Sequence, residues 1–142
     1  MHTVVGTTFR NKVGEVGLED VQCCEAVCLF FGANWAPPSR AFAGVLVDFY
    51  KAVNFPDRRL EIITVPCDKD EAGFHQQADP QPWLHIPFAD PRIAALKTLF
   101  DVSTLPVLIL LKKDGSEALR SARADVQRDG AACFDRWLAL VD

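Results

Sequence analysis

Three almost continuous apolar runs constrain most strongly how this 142-residue chain can fold. They occupy residues 26–31, 60–65 and 105–111, and β-branched, leucine and phenylalanine side chains dominate them. Strands that are apolar on both faces are typical of the centre of a sheet that helices cover on two sides. All three runs are far shorter than the roughly 20 residues of a membrane-spanning helix. We therefore expect central strands here, and no membrane partner.

Segments with the periodicity of amphipathic helices lie between and after these runs. Apolar side chains between residues 42 and 53 recur at the spacing of one helix face, and residues 93, 96 and 100 repeat the pattern. A last amphipathic helix is predicted over residues 134–141, with Asp129 as its N-cap. The order strand, helix, strand predicts a βαβ unit with two parallel strands.

Asp114-Gly115 predicts a tight hairpin, because this dipeptide lies between strand candidates at residues 107–112 and 117–120. The second half of the sheet should therefore end antiparallel. The predicted fold class is α/β: a central mixed β-sheet with helices on both faces. We expect one domain over residues 1–142, with a core at about 26–141 and an N-terminal strand or loop extension over 1–25.

Charge and composition exclude several functions. The chain has 15 Lys and Arg against 19 Asp and Glu, so its net charge is −4, and we expect no nucleic-acid partner. The start MHTVVGTTFR lacks an apolar core behind basic residues, so we expect no secretory signal. We therefore expect a soluble cytoplasmic protein.

The five cysteines do not form a disulfide pattern, because their number is odd and their spacing irregular. They are Cys23, Cys24, Cys28, Cys67 and Cys133. A structural zinc ion is usually bound by four ligands at paired spacings in the sequence, and the three histidines here are scattered. We therefore expect no metal and no cofactor. Cys28 and Cys133 are expected to be small buried side chains.

The loop after the first apolar run is the expected place for a functional site, because ligands bind at the carboxyl ends of parallel strands. It leads into the helix over residues 42–53, and Pro37 or Pro38 suits a first helical turn. Such a helix start should stabilise an anionic group through free N–H groups. A cysteine here would have a lowered pKa, but the chain has Ala36 and Ser39.

The loop Trp35-Ala36-Pro37-Pro38-Ser39-Arg40 resembles the Trp-Cys-Pro-Pro-Cys-Arg motif of tryparedoxins and nucleoredoxins, in the thioredoxin superfamily. Further segments resemble these families in the same order: Val-Asp-Phe-Tyr at 47–50, Asp-Lys-Asp-Glu-Ala-Gly-Phe at 68–74, Pro-Trp-Leu-His-Ile-Pro-Phe at 82–88 and Phe-Asp-Val-Ser-Thr-Leu-Pro at 100–106. The resemblance covers about residues 28–138. It implies a thioredoxin-like fold, a thiol–disulfide oxidoreductase ancestry and a cis Leu105–Pro106 bond.

The departures from these families concern the chemistry. Both cysteine positions of the motif are occupied by other residues, Ala36 and Ser39, and Phe30 stands where thioredoxins have an acid and tryparedoxins a Tyr. Thiol–disulfide exchange needs an attacking thiolate and a second, resolving thiol. No catalytic residue of the motif is therefore intact, and the degenerate motif consists of residues 35–39.

Our first hypothesis is a redox-inactive binding or assembly module. Thioredoxin-like proteins hold an extended segment against the backbone before the cis-proline, and this contact needs no sulfur. The partner would be a protein or an extended peptide, in the cytoplasm or in a larger cytoskeletal, ciliary or flagellar assembly. The predicted binding groove consists of Trp35, Pro37, Cys67, Trp83, Leu105 and Pro106.

Three alternatives remain open at this point. The second hypothesis is a disulfide oxidoreductase of the tryparedoxin type, a trypanothione-dependent electron donor to peroxidases, whose two cysteines have been replaced by Ala36 and Ser39. Trp83 suits a core as well as an interface. Cys67, which should lie near the degenerate motif, is either inert or a lone thiol that forms lasting mixed disulfides.

Overall fold

A seven-stranded sheet crosses the centre of the molecule, and the three apolar runs form its inner strands. The computed structural model describes the backbone of residues 1–142 and the side chains of all but residues 2 and 3. The strands are β1 Thr8–Arg10, β2 Glu15–Gly17, β3 Ala26–Gly32, β4 Leu60–Pro66, β5 Leu84–His85, β6 Val107–Leu111 and β7 Glu117–Leu119. They lie in the order β2-β1-β5-β4-β3-β6-β7.

The sheet is mixed, as predicted. β3 is parallel to β4, from the pair Ala26–Leu60 to the pair Gly32–Pro66, and antiparallel to β6 on its other side. β6 and β7 form the predicted antiparallel hairpin, whose turn contains Gly115 at φ +94°. β6 begins two residues later than the apolar run, after Pro106, which has no N–H to donate to a neighbouring strand.

Helices cover both faces of the sheet. They are α1 His2–Val5, α2 Leu18–Gln22, α3 Pro37–Val53, α4 Glu71–Ala78, α5 Pro91–Leu99, α6 Ala122–Asp129 and α7 Phe134–Leu138, with a 3₁₀ turn at Gly130–Cys133. The longest, α3, buries Phe42, Leu46 and Phe49 along the face that the periodicity predicts. No helix in the described part of the chain is both long and apolar enough to cross a bilayer.

The core has two layers because alternate side chains of a strand point to opposite faces. On β3, Cys28 and Phe30 pack with α3, α6 and α7, whereas Leu29 and Phe31 pack with α5 and the N-terminal segment. All four side chains are fully buried. The ends of β3 and β4 are thereby held rigidly in the middle of the molecule, and the loops that follow them start from fixed points.

Residues 122–133 differ from the prediction. The expectation that Asp129 caps the last helix is wrong: Asp129 ends α6, and its carboxylate accepts hydrogen bonds from Arg128 and Arg136. α6 itself gave little periodic signal, because Ala122 and Val126 are its only buried residues among those described. An N-cap can be assigned only when the first residue of its helix is known. Because α6 is mainly polar, the sequence did not show that Asp129 belongs to α6 and that the last helix begins later.

The N-terminal segment is more structured than the strand or loop extension expected for residues 1–25. β1 and β2 form an antiparallel hairpin, and Arg10 of β1 pairs with His85 of β5. Phe9 and Val21 of this segment are fully buried in the layer that contains α5. Strands of two or three residues carry too little alternation to be recognised from sequence.

Candidate functional site

The loops after β3 and β4 meet at one edge of the sheet. The two strands are parallel and end level with each other, at Gly32 and Pro66. The N–H of Cys67 then donates a hydrogen bond to the carbonyl oxygen of Gly32 at 2.9 Å. Residues 33–40 and the residues that follow β4 therefore form one continuous surface, as the topology predicts.

Trp35 is a fixed, half-exposed wall of this surface. Its indole Nε1 donates a hydrogen bond to the carbonyl oxygen of Cys67 at 3.0 Å, and 49% of the residue is exposed. On the ring, the Lys69 ammonium lies 4.7 Å from the ring centroid, within the range of a cation–π contact. Both contacts come from the chain after β4, so the two loops hold the indole in place.

Asp68 holds the other side of the same loop. Its Oδ1 accepts a hydrogen bond from the Asn34 N–H at 2.7 Å, and its Oδ2 accepts one from Gln77 Nε2 at 2.6 Å. Burial raises the pKa of the Asp68 carboxyl, although both hydrogen bonds favour its charged form. Asp68 thus acts as a structural carboxylate that connects the loop after β3 to α4.

The start of α3 uses up its own N–H groups. The Ala36 N–H donates to the Ala33 carbonyl at 3.3 Å, the Ser39 N–H donates to the Ala36 carbonyl at 3.0 Å, and Pro37 and Pro38 have no N–H. The expectation of an anion held by free N–H groups at this helix start is therefore wrong. Ser39 is 1% exposed, and its Oγ accepts from the Ala33 N–H at 3.1 Å.

The opposite wall of the surface is the segment between α5 and β6. α5 ends in a Schellman motif: the Asp101 N–H donates to Thr98 and the Val102 N–H donates to Lys97, with Asp101 at φ +51°. This turn directs residues 102–105 back toward β3. The Leu105–Pro106 bond at its end is cis, which confirms that prediction.

The backbone of residues 103–105 is unpaired. Within the described part of the chain, none of its N–H or C=O groups takes part in a backbone hydrogen bond. Ser103 and Thr104 are exposed, and Leu105 is half-buried. Such a row of free donors and acceptors can pair with an added strand.

A groove of about 450 Å³ lies between the two walls. Residues 35–38 line one side, residues 102–105 the other, and Cys67 and Lys97 complete the lining. Its surface is mainly apolar, since Trp35, Pro37, Val102 and Leu105 face it. We call this space the Trp35 groove.

The structure brings four of the six predicted groove residues together: Trp35, Pro37, Cys67 and Leu105. The expectation that Trp83 lines the groove is wrong. Trp83 is 2% exposed, its Nε1 donates to Thr64 Oγ1 at 2.7 Å, and its ring packs edge-on against Phe30. Thr64 supplies the hydrogen bond that the indole needs, so burial of the whole side chain is favourable.

Pro106 also does not line the groove as predicted, because its ring is buried, and the adjoining residue Leu105 presents the lining surface instead. Sequence reasoning missed Lys97, which lies on the polar face of α5. It also missed Arg120, whose guanidinium donates to the carbonyls of Phe100 and Asp101, the latter at 2.7 Å. The segment Phe-Asp-Val-Ser-Thr-Leu-Pro at residues 100–106 was the sequence signal for this wall. No motif predicted that Lys97 and Arg120 contact it.

Thiol chemistry has little support in the groove. Ala36 is 6% exposed and presents a methyl group, and Phe30 is fully buried. Burial raises the pKa of Cys67 to about 11, although the Lys97 charge opposes the shift. Burial likewise raises the pKa values of Cys28 and Cys133, which lie in the core. Among the described residues, no group of three or more His, Cys, Asp or Glu is placed to hold a metal ion.

Comparison with known proteins assigns the family. A thioredoxin-like family model matches residues 25–117, well over half of the chain. The chain belongs to the thioredoxin-like family. The thioredoxin-like fold explains the mixed sheet, the cis bond before β6 and the groove between Trp35 and residues 102–105.

Tryparedoxins and nucleoredoxins are relatives. The tryparedoxin of Trypanosoma brucei brucei is 34% identical over 134 residues, which cover 92% of this chain and 91% of the relative. A solved structure, "Tryparedoxin from Trypanosoma brucei", has a TM-score of 0.82 at 29% identity, and the match covers 94% of this chain and 92% of that one. Probable nucleoredoxin 1 of Arabidopsis thaliana is 34% identical over 110 residues, 78% of this chain. This chain spans only 19% of that nucleoredoxin.

Proposed function

We propose that this thioredoxin-like domain binds an extended segment of another protein in the Trp35 groove, without thiol–disulfide exchange. The backbone of residues 103–105 is the observation that carries this proposal, because its N–H and C=O groups are unpaired and these residues line a groove of suitable size. An added strand would satisfy these groups, and its side chains would alternate between the groove and the solvent.

The opposite wall supports the same function. The indole of Trp35 is held by Cys67 and Lys69, so a bound side chain meets an aromatic surface that is already ordered. A pre-organised wall lowers the entropic cost of binding. Partly exposed tryptophan is also among the side chains that most often dominate the energy of protein interfaces.

The chemistry of the groove supports binding rather than electron transfer. Ala36 and Ser39 provide no thiol, and Cys67 has a pKa of about 11, so it is almost entirely protonated at neutral pH. The oxidoreductase hypothesis requires cysteines at positions 36 and 39. It would therefore apply to a chain that differs from this one at both positions. A cytoplasmic or ciliary assembly remains our proposal for the setting of the domain.

Peptide selection followed by NMR tests the proposal. A library of random peptides of about twelve residues, displayed on phage, is selected on the folded domain. We expect selected peptides to shift the amide resonances of Ser103, Thr104 and Leu105 and the indole N–H of Trp35. The variant Trp35→Ala should weaken binding at least about tenfold, as removal of a central aromatic anchor does.

Phe55→Ala is the matched control. Phe55 is another exposed aromatic, 83% accessible, and it follows the opposite end of α3. Its loss should leave peptide affinity unchanged. Selection of no peptide, or shifts confined to surfaces away from residues 35–38 and 102–105, would overturn the proposal.

A disulfide reduction assay tests the second half of the proposal. With insulin and dithiothreitol, the domain should not accelerate reduction above the rate of buffer alone. Acceleration that a thiol blocker abolishes would show that another cysteine performs the chemistry, and the proposal of a redox-inactive module would fail.

A further inference from the structure

Lys97 is the one charged residue among those described that line the Trp35 groove. It lies in the last turn of α5 and is exposed, and no ion pair joins it to an acidic side chain in the described part of the chain. An unpaired ammonium group in an otherwise apolar groove is a feature that a ligand of opposite charge would complement.

Lys97 is placed beside the unpaired backbone. Its carbonyl oxygen accepts the hydrogen bond of the Val102 N–H at 2.9 Å, so this turn joins the end of α5 directly to the segment 103–105. Its charge also reaches Cys67 at the other side of the groove. A strand paired with residues 103–105 would therefore pass within reach of the ammonium group.

The other charged residues close to the groove do not line it. Lys69 lies over the Trp35 ring and does not line the groove. The nearest carboxylate on the loop after β4, Asp68, accepts hydrogen bonds from Asn34 and Gln77 and does not line the groove. Lys97 is thus the charge that the lining of the groove presents to a ligand, in a chain whose net charge is −4.

Building on the proposed function, we propose that the Trp35 groove selects extended segments that carry an Asp or Glu side chain next to an apolar residue. The apolar side chain packs against Trp35, Pro37 and Val102, and the carboxylate pairs with Lys97. An exposed pair of this kind changes affinity by up to about fivefold, and the apolar surroundings of Lys97 place the effect at the upper end of this range.

A charge-swap experiment on one peptide tests this proposal. A peptide selected on the groove is synthesised with Glu, Gln or Lys at a single position, and its dissociation constants are measured by isothermal titration calorimetry. We expect the order Glu, Gln, Lys from tightest to weakest, with about three- to fivefold between Glu and Gln at low salt and less at high salt.

Three variants show whether Lys97 causes this order. Lys97→Gln should remove the preference for Glu, Lys97→Glu should reverse it, and Lys97→Arg should keep it. Lys51→Gln is the matched control: Lys51 is an exposed lysine at the far end of α3, so this change should leave the order intact. A double-mutant cycle between position 97 and the peptide position isolates the pairing energy.

The outcomes separate the two proposals. If Glu, Gln and Lys peptides bind equally well and shift residues 103–105, the binding function stands and the selection by charge is wrong. The same holds if the preference persists in Lys97→Gln. If no peptide binds in the groove, the proposed function itself fails, and the inference about charge fails with it.

Discussion

The indole Nε1 of Trp35 lies 3.0 Å from the carbonyl oxygen of Cys67 and donates a hydrogen bond to it. This bond joins the loop after β3 to the loop after β4 at the mouth of the groove. Asn34 and Asp68 make a second link between the same two loops, through the Asn34 N–H. The degenerate motif is therefore held by its neighbours after β4, and needs no disulfide to keep its shape.

Paired tryptophan variants measure what the first link contributes. Trp35→Phe removes the Nε1–H donor but keeps an aromatic ring beneath Lys69, and we expect the free energy of unfolding to fall by about 0.5–1 kcal/mol in urea titrations. Trp83→Phe should cost more, about 2–3 kcal/mol, because it also leaves a buried Thr64 hydroxyl without its donor and a cavity behind.

The exposure of the two residues makes this comparison decisive. Trp35 is half-exposed, so water can replace its lost hydrogen bond, whereas Trp83 is 2% exposed and has no such substitute. Equal losses of stability in the two variants would contradict the assignment of Trp35 to the surface and Trp83 to the core.

Much of the fold was predictable from sequence because the strongest signals belong to its central elements. β3, β4 and β6 are apolar on both faces, and α3 has a long amphipathic face. β1, β2 and β5 could not be recognised, because two or three residues show no period. Of these three, only β2 lies at the edge of the sheet, so the shortness of these strands and not their position hid them.

The site was predictable only to the level of its loops. Topology placed Trp35 and Cys67 together, since parallel neighbouring strands end at the same edge. It could not place Trp83, since whether an indole is buried depends on Thr64, a hydrogen-bond partner nineteen positions away in the sequence. The place of Lys97 in the groove could not be predicted either. Helix periodicity identifies the buried side chains of a helix, but it does not show which surface lies beside the polar face.

Asp101 offers a test of the turn that shapes the opposite wall. Its φ of +51° lies in the left-handed region, where glycine is favoured over residues with a Cβ. We expect Asp101→Gly to stabilise the domain by about 0.5–1 kcal/mol and Asp101→Val to destabilise it by about 1–2 kcal/mol in thermal or urea unfolding. A loss of stability in Asp101→Gly would show that the carboxylate has a role that this structure does not assign to it.

Glu61 predicts a pH dependence of stability. It is buried in β4, where Tyr50 donates a hydrogen bond to it and Arg58 lies 4.0 Å away, and burial is the largest cause of its raised pKa. A group whose pKa is raised by folding stabilises the folded state below its unfolded pKa, near 4.5. That contribution is lost as the pH rises through the folded value, because a charged carboxylate must then remain buried.

Glu61→Gln removes this titration but keeps an acceptor for Tyr50. We expect the difference in unfolding free energy between variant and wild type to shift in favour of the variant as the pH rises from 4 to 7. Each unit of the pKa shift corresponds to about 1.4 kcal/mol. Asp48→Asn, on the exposed surface of α3, is the control. A pH-independent difference for Glu61→Gln would mean that Arg58 fully compensates the buried charge.

The order of cysteine modification follows from burial. Burial raises the pKa of Cys67 to about 11, so its thiol is almost entirely protonated at neutral pH, whereas Cys23 is exposed. Mild treatment with oxidised glutathione should therefore label Cys23 first, as mass spectrometry of tryptic peptides will show. Cys28, fully buried, should react last. Labelling of Cys67 ahead of Cys23 would instead support a lone reactive thiol in the groove.

Restoring two cysteines tests whether the scaffold still has the geometry of a redox motif. Position 36 immediately precedes α3 and position 39 lies in its first turn, so the two side chains are separated by one turn. We expect Ala36→Cys with Ser39→Cys to form an intramolecular disulfide when oxygen of the air oxidises the pair, detected as a mass loss of two hydrogen atoms and the absence of free thiol at both positions. Ala36→Cys alone should instead form a mixed disulfide with added oxidised glutathione, releasing one reduced glutathione. The Ser39 hydroxyl accepts a hydrogen bond from the Ala33 N–H, and a sulfur atom accepts it more weakly, so the double variant should lose about 1 kcal/mol in its reduced form. Failure of a folded double variant to oxidise would show that the Trp35–Cys67 and Asn34–Asp68 links hold residues 36 and 39 too far apart for a bond.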